Sequence, residues 1–292
     1  VLTIEDVSKT YPDGTRALDG VSLKVHAGVF GLLGPNGAGK SSLMRTIATL
    51  QRPTTGTITM DGIDVVAAPE RARALLGYLP QDFGLYPQAT AQDQLDHFAV
   101  LKGIVDRRAR RDLVEKLLVE VNLWAVRKQR LRGFSGGMRQ RLGIAQALIG
   151  DPRILVVDEP TAGLDPAERH RILELLATAG ERSIVLLSTH IVAEVEALCA
   201  RMAIISGGRL QRVASPGEAI AELQGRVWHV PGDHPPGFDP GVAIIARKRL
   251  RGQSISVAVA DSSPTASSEA AQPTLEDAYF FALNRTVMAE QA

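Results

Sequence analysis

Val29-Phe30-Gly31-Leu32-Leu33-Gly34-Pro35-Asn36-Gly37-Ala38-Gly39-Lys40-Ser41-Ser42 joins a short apolar run to a glycine-rich turn and then to a helical pattern carried by Leu43, Ile47 and Leu50. Glycines let successive backbone N–H groups turn inward around phosphate oxygens. The helix N-terminus adds the positive end of its dipole, and Lys40 supplies a point charge for the β and γ phosphates. Ser41 can then set its hydroxyl on Mg²⁺. A phosphate-cradling loop at the end of a buried strand predicts an open α/β sheet that gathers its ligand at the carboxyl ends of its strands.

Outward from this loop, Ile154–Asp158 and Ile184–Ser188 read as further short apolar strands ending in polar residues. Such runs suit a sheet covered on both faces, hence mainly parallel strands with helices on each side. Two hairpin-like pieces, Thr57–Val65 turning at Asp61-Gly62 and Met202–Val213 turning at Gly207-Gly208, predict an added antiparallel edge. Between Ala91 and Gln129 helical spacing takes over, as in Leu113, Leu117, Val121 and Trp124, so a helical subdomain is expected over about 82–150. The basic run Arg107–Arg111 lies within it, flanked by Asp106 and Asp112, and reads as a solvated helix face. After Ser215 come Pro231-Gly232, Pro235-Pro236-Gly237 and a Ser/Ala-rich stretch over Asp261–Ala271. Two strands (Val242–Ala246, Ser254–Ala260) and a helix (Leu275–Asn284) are expected there. The division is therefore a principal domain over 1–214 and a small α+β accessory domain over 215–292.

With 292 residues, 45% hydrophobic and 22% charged, the chain is neither disordered nor disulfide-stapled. Lys plus Arg number 33 against 32 Asp plus Glu, for a net charge of +1, so no whole-molecule field draws it to nucleic acid. Its single cysteine, Cys199, lies near Val195, Leu198 and Met202 and reads as a buried inert thiol on a helix, which suits a reducing compartment. No apolar run approaches the roughly 20 residues that cross a bilayer, and Val1-Leu2-Thr3-Ile4 reads as a strand rather than a signal peptide. The chain is expected neither to span nor to leave. His97, His170, His229 and His234 show no metal-ligand spacing.

Two more constellations carry chemistry. Ile154-Leu155-Val156-Val157-Asp158-Glu159 delivers two carboxylates to the end of a greasy strand, where Asp158 can meet a metal shell and Glu159 can polarise an attacking water. Phe134-Ser135-Gly136-Gly137-Met138-Arg139-Gln140 precedes a helix expected to run to Ile149. Its residues permit two readings: a serine N-cap with permissive glycines, or a second anion site at a helix N-terminus.

In this order Gly34 to Ser41, Gln81, Ser135-Gly136-Gly137, Asp158-Glu159, Gly163-Leu164-Asp165 and His190 resemble the ATP-binding cassette (ABC) ATPase family, over roughly residues 1–214. The resemblance implies a P-loop NTPase cassette that binds ATP and Mg²⁺ and pairs head to tail with a second cassette. Ser135, Gly136 and Gly137 would then close over ATP held by the partner's Gly34, Pro35, Asn36, Gly37, Ala38, Gly39, Lys40, Ser41 and Ser42. It also implies that Tyr11 stacks on adenine, that Gln81 reaches the metal and the water, that Ser41 and Asp158 complete the metal set, that Glu159 is the general base, that His190 is the switch histidine, and that Asp165 sits at the dimer seam. Ser42 stands where the family often has Thr, and Met138 where Gln is common.

Asp82-Phe83-Gly84-Leu85-Tyr86-Pro87 is apolar for a loop and matches the place where the family receives a helix from a separate transmembrane permease. Pro273 to Phe280 resembles the tail of drug-resistance and polysaccharide export cassettes. The resemblance thus implies a transport ATPase of exporter type, cytoplasmic and peripheral on the inner face of the cell membrane. A non-transport ABC ATPase is the alternative. Its DNA-repair form would carry a long coiled coil between the phosphate loop and Ser135, and its translation form two cassettes; neither pattern is present.

Overall fold

A computed structural model describes residues 1–234, 241–250 and 252–290, so the expected turn at Pro235-Pro236-Gly237 lies outside the described residues. The phosphate loop hangs from a six-stranded sheet. Its strand order is Arg209–Ala214, Arg201–Ser206, Gly28–Leu33, Ile184–Thr189, Ile154–Asp158, Leu76–Leu79. Every neighbouring pair is parallel except the first, a hairpin turning at Gly207-Gly208. Ile154–Asp158 and Ile184–Thr189 are buried at every residue.

Alternation along these strands explains why the runs are apolar throughout. Phe30, Leu32, Ile154, Val156, Ile184 and Leu186 join one core cluster, while Val29, Leu33, Leu155, Val157, Val185 and Leu187 join another. Successive side chains point to opposite faces, and each face is covered. The first cluster includes Leu43, Met44 and Ile47 of the helix Lys40–Ile47 together with a four-stranded antiparallel sheet. That sheet runs in the order Arg16–Val25, Leu2–Thr10, Thr55–Met60, Ile63–Asp64. Each fully buried Leu or Ile contributes roughly 1.5–3 kcal/mol on removal from water.

The opposite face carries the helical residues. Ala91–Leu101 begins with a reciprocal cap between Thr90 and Asp93, and Arg107–Glu120 begins at Asp106, whose carboxylate accepts from the Ala109 N–H. Val114, Leu117 and Leu118 form the buried stripe of the second helix; of the expected line Leu117 and Val121 are buried, while Leu113 and Trp124 are only partly buried. In the basic run, Arg110 turns in to Asp96 and to the Ile104 and Val105 carbonyls, while Arg111 pairs with exposed Asp112. The helix Gly136–Ala147 ends two residues short of the expected Ile149.

Beyond Ser215, which caps Pro216–Ala221, an antiparallel sheet runs Ala243–Leu250, Gln253–Val259, Val227–Pro231, Glu269–Ala270, with the helix Leu275–Glu290 beside it. Pro231-Gly232 therefore ends a strand that composition alone had hidden. Leu275, Ala278, Tyr279 and Ala282 pack into the same cluster as the helices on that face of the core sheet.

Three local readings change. Leu50 lies past the end of its helix and is exposed. Met202 belongs to the strand Arg201–Ser206, because the helix Val192–Leu198 stops before Cys199. The two hairpins do not share an edge: Thr55–Met60 pairs with Leu2–Thr10, whereas Arg201–Ser206 extends the core sheet.

Candidate active site

Gly34 to Ser41 bends between the strand Gly28–Leu33 and the helix Lys40–Ile47, and two of its glycines are required by space. A Cβ on Gly34 would lie 2.4 Å from the Ile205 carbonyl oxygen. One on Gly39, whose φ is +104°, would lie 2.4 Å from that of Ala17. The Gly207-Gly208 turn presses on the loop from behind, with the Gly208 N–H donating to Ala38 O at 3.0 Å. No side chain caps the helix at Gly39, which leaves its first N–H groups to a ligand.

Lys40 is 4% exposed, and its Nζ donates to Gly34 O at 2.8 Å and Pro35 O at 3.0 Å. It also stands 3.5 Å from Glu159 Oε1. Glu159 follows the strand Ile154–Asp158 in a left-handed conformation, φ +48°, uncommon for a residue with a side chain. Its N–H donates to Ser188 O at 3.0 Å, and its other oxygen lies 3.4 Å from His190 Nδ1. Lysine, glutamate and histidine thus form one line of contacts, with His190 still 45% exposed at the end.

Asp158, one residue earlier, is buried, and its Oδ1 has no hydrogen-bond partner. Ser188, its register partner on the next strand, has a buried Oγ in the same condition. Burial, and then the negative charge of Asp158, raise the Tyr78 phenol above its ordinary value, opposed by Arg45. Tyr78 therefore stays protonated.

A cavity of about 510 Å³ brings together Tyr11, Asn36, Gly37, Gly39, Lys40, Ser41, Ser42, Gln81 and Glu159. The Tyr11 hydroxyl is 3.1 Å from both Ser42 Oγ and Gln51 Oε1, which fixes the ring beside the loop. Thr15, Arg16, Ala17, Gly207 and Gly208 also line it, and the sequence reading missed all five. Gly207-Gly208 announced only a hairpin, and nothing in the sequence ties that turn to a loop 170 residues earlier.

Ser135, Gly136, Gly137 and Asp165 are not in this cavity. Ser135 caps the helix Gly136–Ala147 by accepting from the Met138 N–H at 3.2 Å, so the capping reading of this serine is realised. Asp165 caps Pro166–Gly180 by accepting from Glu168 N–H at 2.9 Å. Gly137 packs so closely on Glu168 that a Cβ would fall 2.2 Å from Oε2, and Glu168 in turn pairs with buried Arg141 at 2.7 Å. Gly136 instead borders a second cavity of about 460 Å³ with Phe83, Leu85, Arg139 and Leu164. Gln81 touches both cavities.

Among the described residues no cluster of His, Cys, Asp and Glu has the form of a metal cage, and no helix is long and apolar enough to cross a membrane. The family profile described as ABC transporter matches residues 18–162. The Nod factor export ATP-binding protein I of Rhizobium etli is 40% identical over 226 residues, covering 77% of this chain and 71% of that protein. The daunorubicin resistance ATP-binding protein DrrA3 of Streptomyces coeruleorubidus is 37% identical over 226 residues, with coverage of 77% and 71%. Among solved structures, the dimeric post-hydrolysis state of the ATP-binding cassette MJ0796, bound to ADP and Pi, superposes with a TM-score of 0.67 at 27% identity, covering 74% of this chain and 98% of that one. With its phosphate loop set against Glu159 and His190 in that same architecture, the chain belongs to the ABC transporter family as an ATP-binding, ATP-hydrolysing subunit.

Proposed function

We propose that two copies of this chain close head to tail over ATP and drive a separate membrane permease as an exporter. Residues 1–214 are the motor and residues 215–292 an accessory unit. One observation carries the reading: a single chain presents two half-sites that do not meet. Lys40, Glu159 and His190 line up beside the phosphate loop, while Ser135, Gly136 and Asp165 are exposed elsewhere. A second copy turned head to tail supplies the missing half.

In this reading the backbone N–H groups of Gly34 to Ser41 and Lys40 hold the phosphates, Ser42 flanks them, and Tyr11 stacks on adenine. Glu159 draws a proton from the attacking water, and His190 holds Glu159 and donates to the γ-phosphate. Gln81 positions that water. The residues present fit Mg²⁺, because the buried orphan oxygen of Asp158 is costly unless a cation or its hydration water satisfies it. Ser41, Asp158 and Gln81 would hold the ion, which neutralises charge on the β and γ phosphates. The partner's Ser135, Gly136 and Gly137 cover the γ-phosphate, and Asp165 lies at the seam.

The docking face is the Asp82–Pro87 segment. The Phe83 ring lies against Gly143 on the helix that Ser135 caps, and Tyr86 is 54% exposed. A permease helix seated there would feel the γ-phosphate through Gln81. The relatives named for Nod factor export and daunorubicin resistance support export as the direction, and with it a place at the cytoplasmic face of the membrane.

The test is Glu159→Gln with Mg-ATP. This variant keeps the phosphate loop and loses the base, so it should run as a stable dimer by light scattering and be monomeric without nucleotide. A variant that stays monomeric at every concentration with Mg-ATP, or that turns over ATP like the parent, overturns the reading.

A further inference from the structure

Glu194 is a buried acid with no part in the chemistry described so far. It lies in the first turn of the helix Val192–Leu198, is 1% exposed, and divides its two oxygens between the turn after Glu159 and the end of the strand Ile184–Thr189. Oε1 accepts from Thr161 Oγ1 at 2.5 Å, and Oε2 accepts from Thr189 Oγ1 at 2.7 Å. Both threonines are themselves buried. Arg169 Nε, from the helix that Asp165 caps, stands 3.6 Å from Oε1, an ion-pair separation longer than a hydrogen bond. A carboxylate taken out of water needs such donors, and here all of them come from three separate segments.

The segments are those that carry the reacting groups. Thr161 follows Glu159 by two residues, and Thr189 immediately precedes His190. Thr189 Oγ1 also accepts the Ile191 N–H at 3.0 Å, which pins the chain on the far side of the histidine. The contact between Glu159 and His190 is therefore flanked by two rungs. One is the bond from Glu159 N–H to Ser188 O at 3.0 Å, and the other is the Thr161–Glu194–Thr189 bridge. Glu159 itself sits in a left-handed turn that its own backbone does not favour.

We infer that Glu194 is a positioning residue for hydrolysis, fixing the turn after Glu159 to the end of the strand before His190. The inference rests on the proposed roles of Glu159 and His190. The bridge meets the phosphate loop only through backbone, where Thr189 O accepts the Gly34 N–H at 3.4 Å; that bond does not involve the Glu194 carboxylate, so removing the carboxylate acts on turnover and leaves nucleotide affinity alone. Carried to Asp165 through Arg169, the same carboxylate ties the dimer-seam helix to the switch histidine.

The experiment measures steady-state ATPase activity and nucleotide affinity of the full chain for Glu194→Ala, Glu194→Gln and Glu159→Gln beside the parent. Glu194→Ala should lower kcat by about tenfold or more, since small misplacements of catalytic groups carry costs of that order, and leave KM and the nucleotide Kd within about twofold. Glu194→Gln, which can still accept from one threonine and donate to the other, should recover most of that loss. An unchanged kcat in Glu194→Ala, or a parallel loss of affinity in both Glu194 variants, overturns the inference. If Glu194→Ala does not fold, Thr161→Val and Thr189→Val take its place: each should lower kcat, the double variant should lose less than the product of the two, and independent effects overturn it. Glu159→Gln keeps the two failures apart. An inactive Glu159→Gln beside a fully active Glu194→Ala sinks only the bridge, whereas an active Glu159→Gln sinks the base assignment.

Discussion

Lys40 has no idle donor. Its ammonium is satisfied by two carbonyls of its own loop and stands within ion-pair distance of Glu159, so phosphate oxygens must replace partners that are already good. The lysine is legible in the sequence because only one residue type supplies a mobile point charge after that glycine pattern; its resting partners are not, because they depend on how the loop closes. Cys199 is a simpler case. It is 6% exposed, and burial, with the charge of Glu194 adding to it, raises its thiol from 9.0 to about 12. At pH 8 only about one molecule in ten thousand would carry the thiolate. Native protein should therefore resist a thiol-reactive chromogen for hours and react at once in denaturant; fast labelling of the native chain would contradict the burial. The sign for stability follows. The unfolded thiol ionises first, so raising the pH from 9 toward 12 lowers the free energy of unfolding and destabilises the fold.

Elements are held at separations that side chains would spoil. The edge strand Leu76–Leu79 approaches the helix Gly136–Ala147 so closely that a Cβ on Gly77 would lie 2.1 Å from the Ala147 carbonyl oxygen. That oxygen is backbone and cannot step aside as a side chain does. Gly77→Ala should cost about 1–3 kcal/mol, read as a thermal midpoint several degrees lower; an unchanged midpoint would mean that strand and helix have slack. The strand leads directly to Gln81, so this packing also sets where Gln81 enters the site. Periodicity revealed the strands buried on both faces, since Ile154–Asp158 and Ile184–Thr189 are apolar at almost every position. It missed Leu76–Leu79 and Arg16–Val25: the first is only four residues long, and the second alternates apolar with polar and is broken by Asp19-Gly20.

For the whole molecule, the separation of the two half-sites makes a numerical prediction. Lys40→Ala and Ser135→Ala should each be inactive alone. Mixed before assembly in equal amounts, they should give about a quarter of parental turnover, because about half of the randomly formed pairs are mixed and each of those keeps one of its two composite sites intact. Independent activity of either variant would contradict the head-to-tail pairing. Ser135→Ala also loses a helix cap worth about 1 kcal/mol, so its thermal midpoint must be measured alongside. By itself the sequence determined the phosphate loop, the paired carboxylates and the alternation of strand and helix, because each is written in neighbouring residues whose spacing obeys backbone geometry. Only the tertiary structure decided that Gly207-Gly208 would brace that loop, that Ser135 and Asp165 would sit apart from Lys40, and that one buried glutamate would join Thr161 to Thr189. Those relations link positions tens to more than a hundred residues apart, and the packing of sheet faces, not local preference, brings them together or holds them apart.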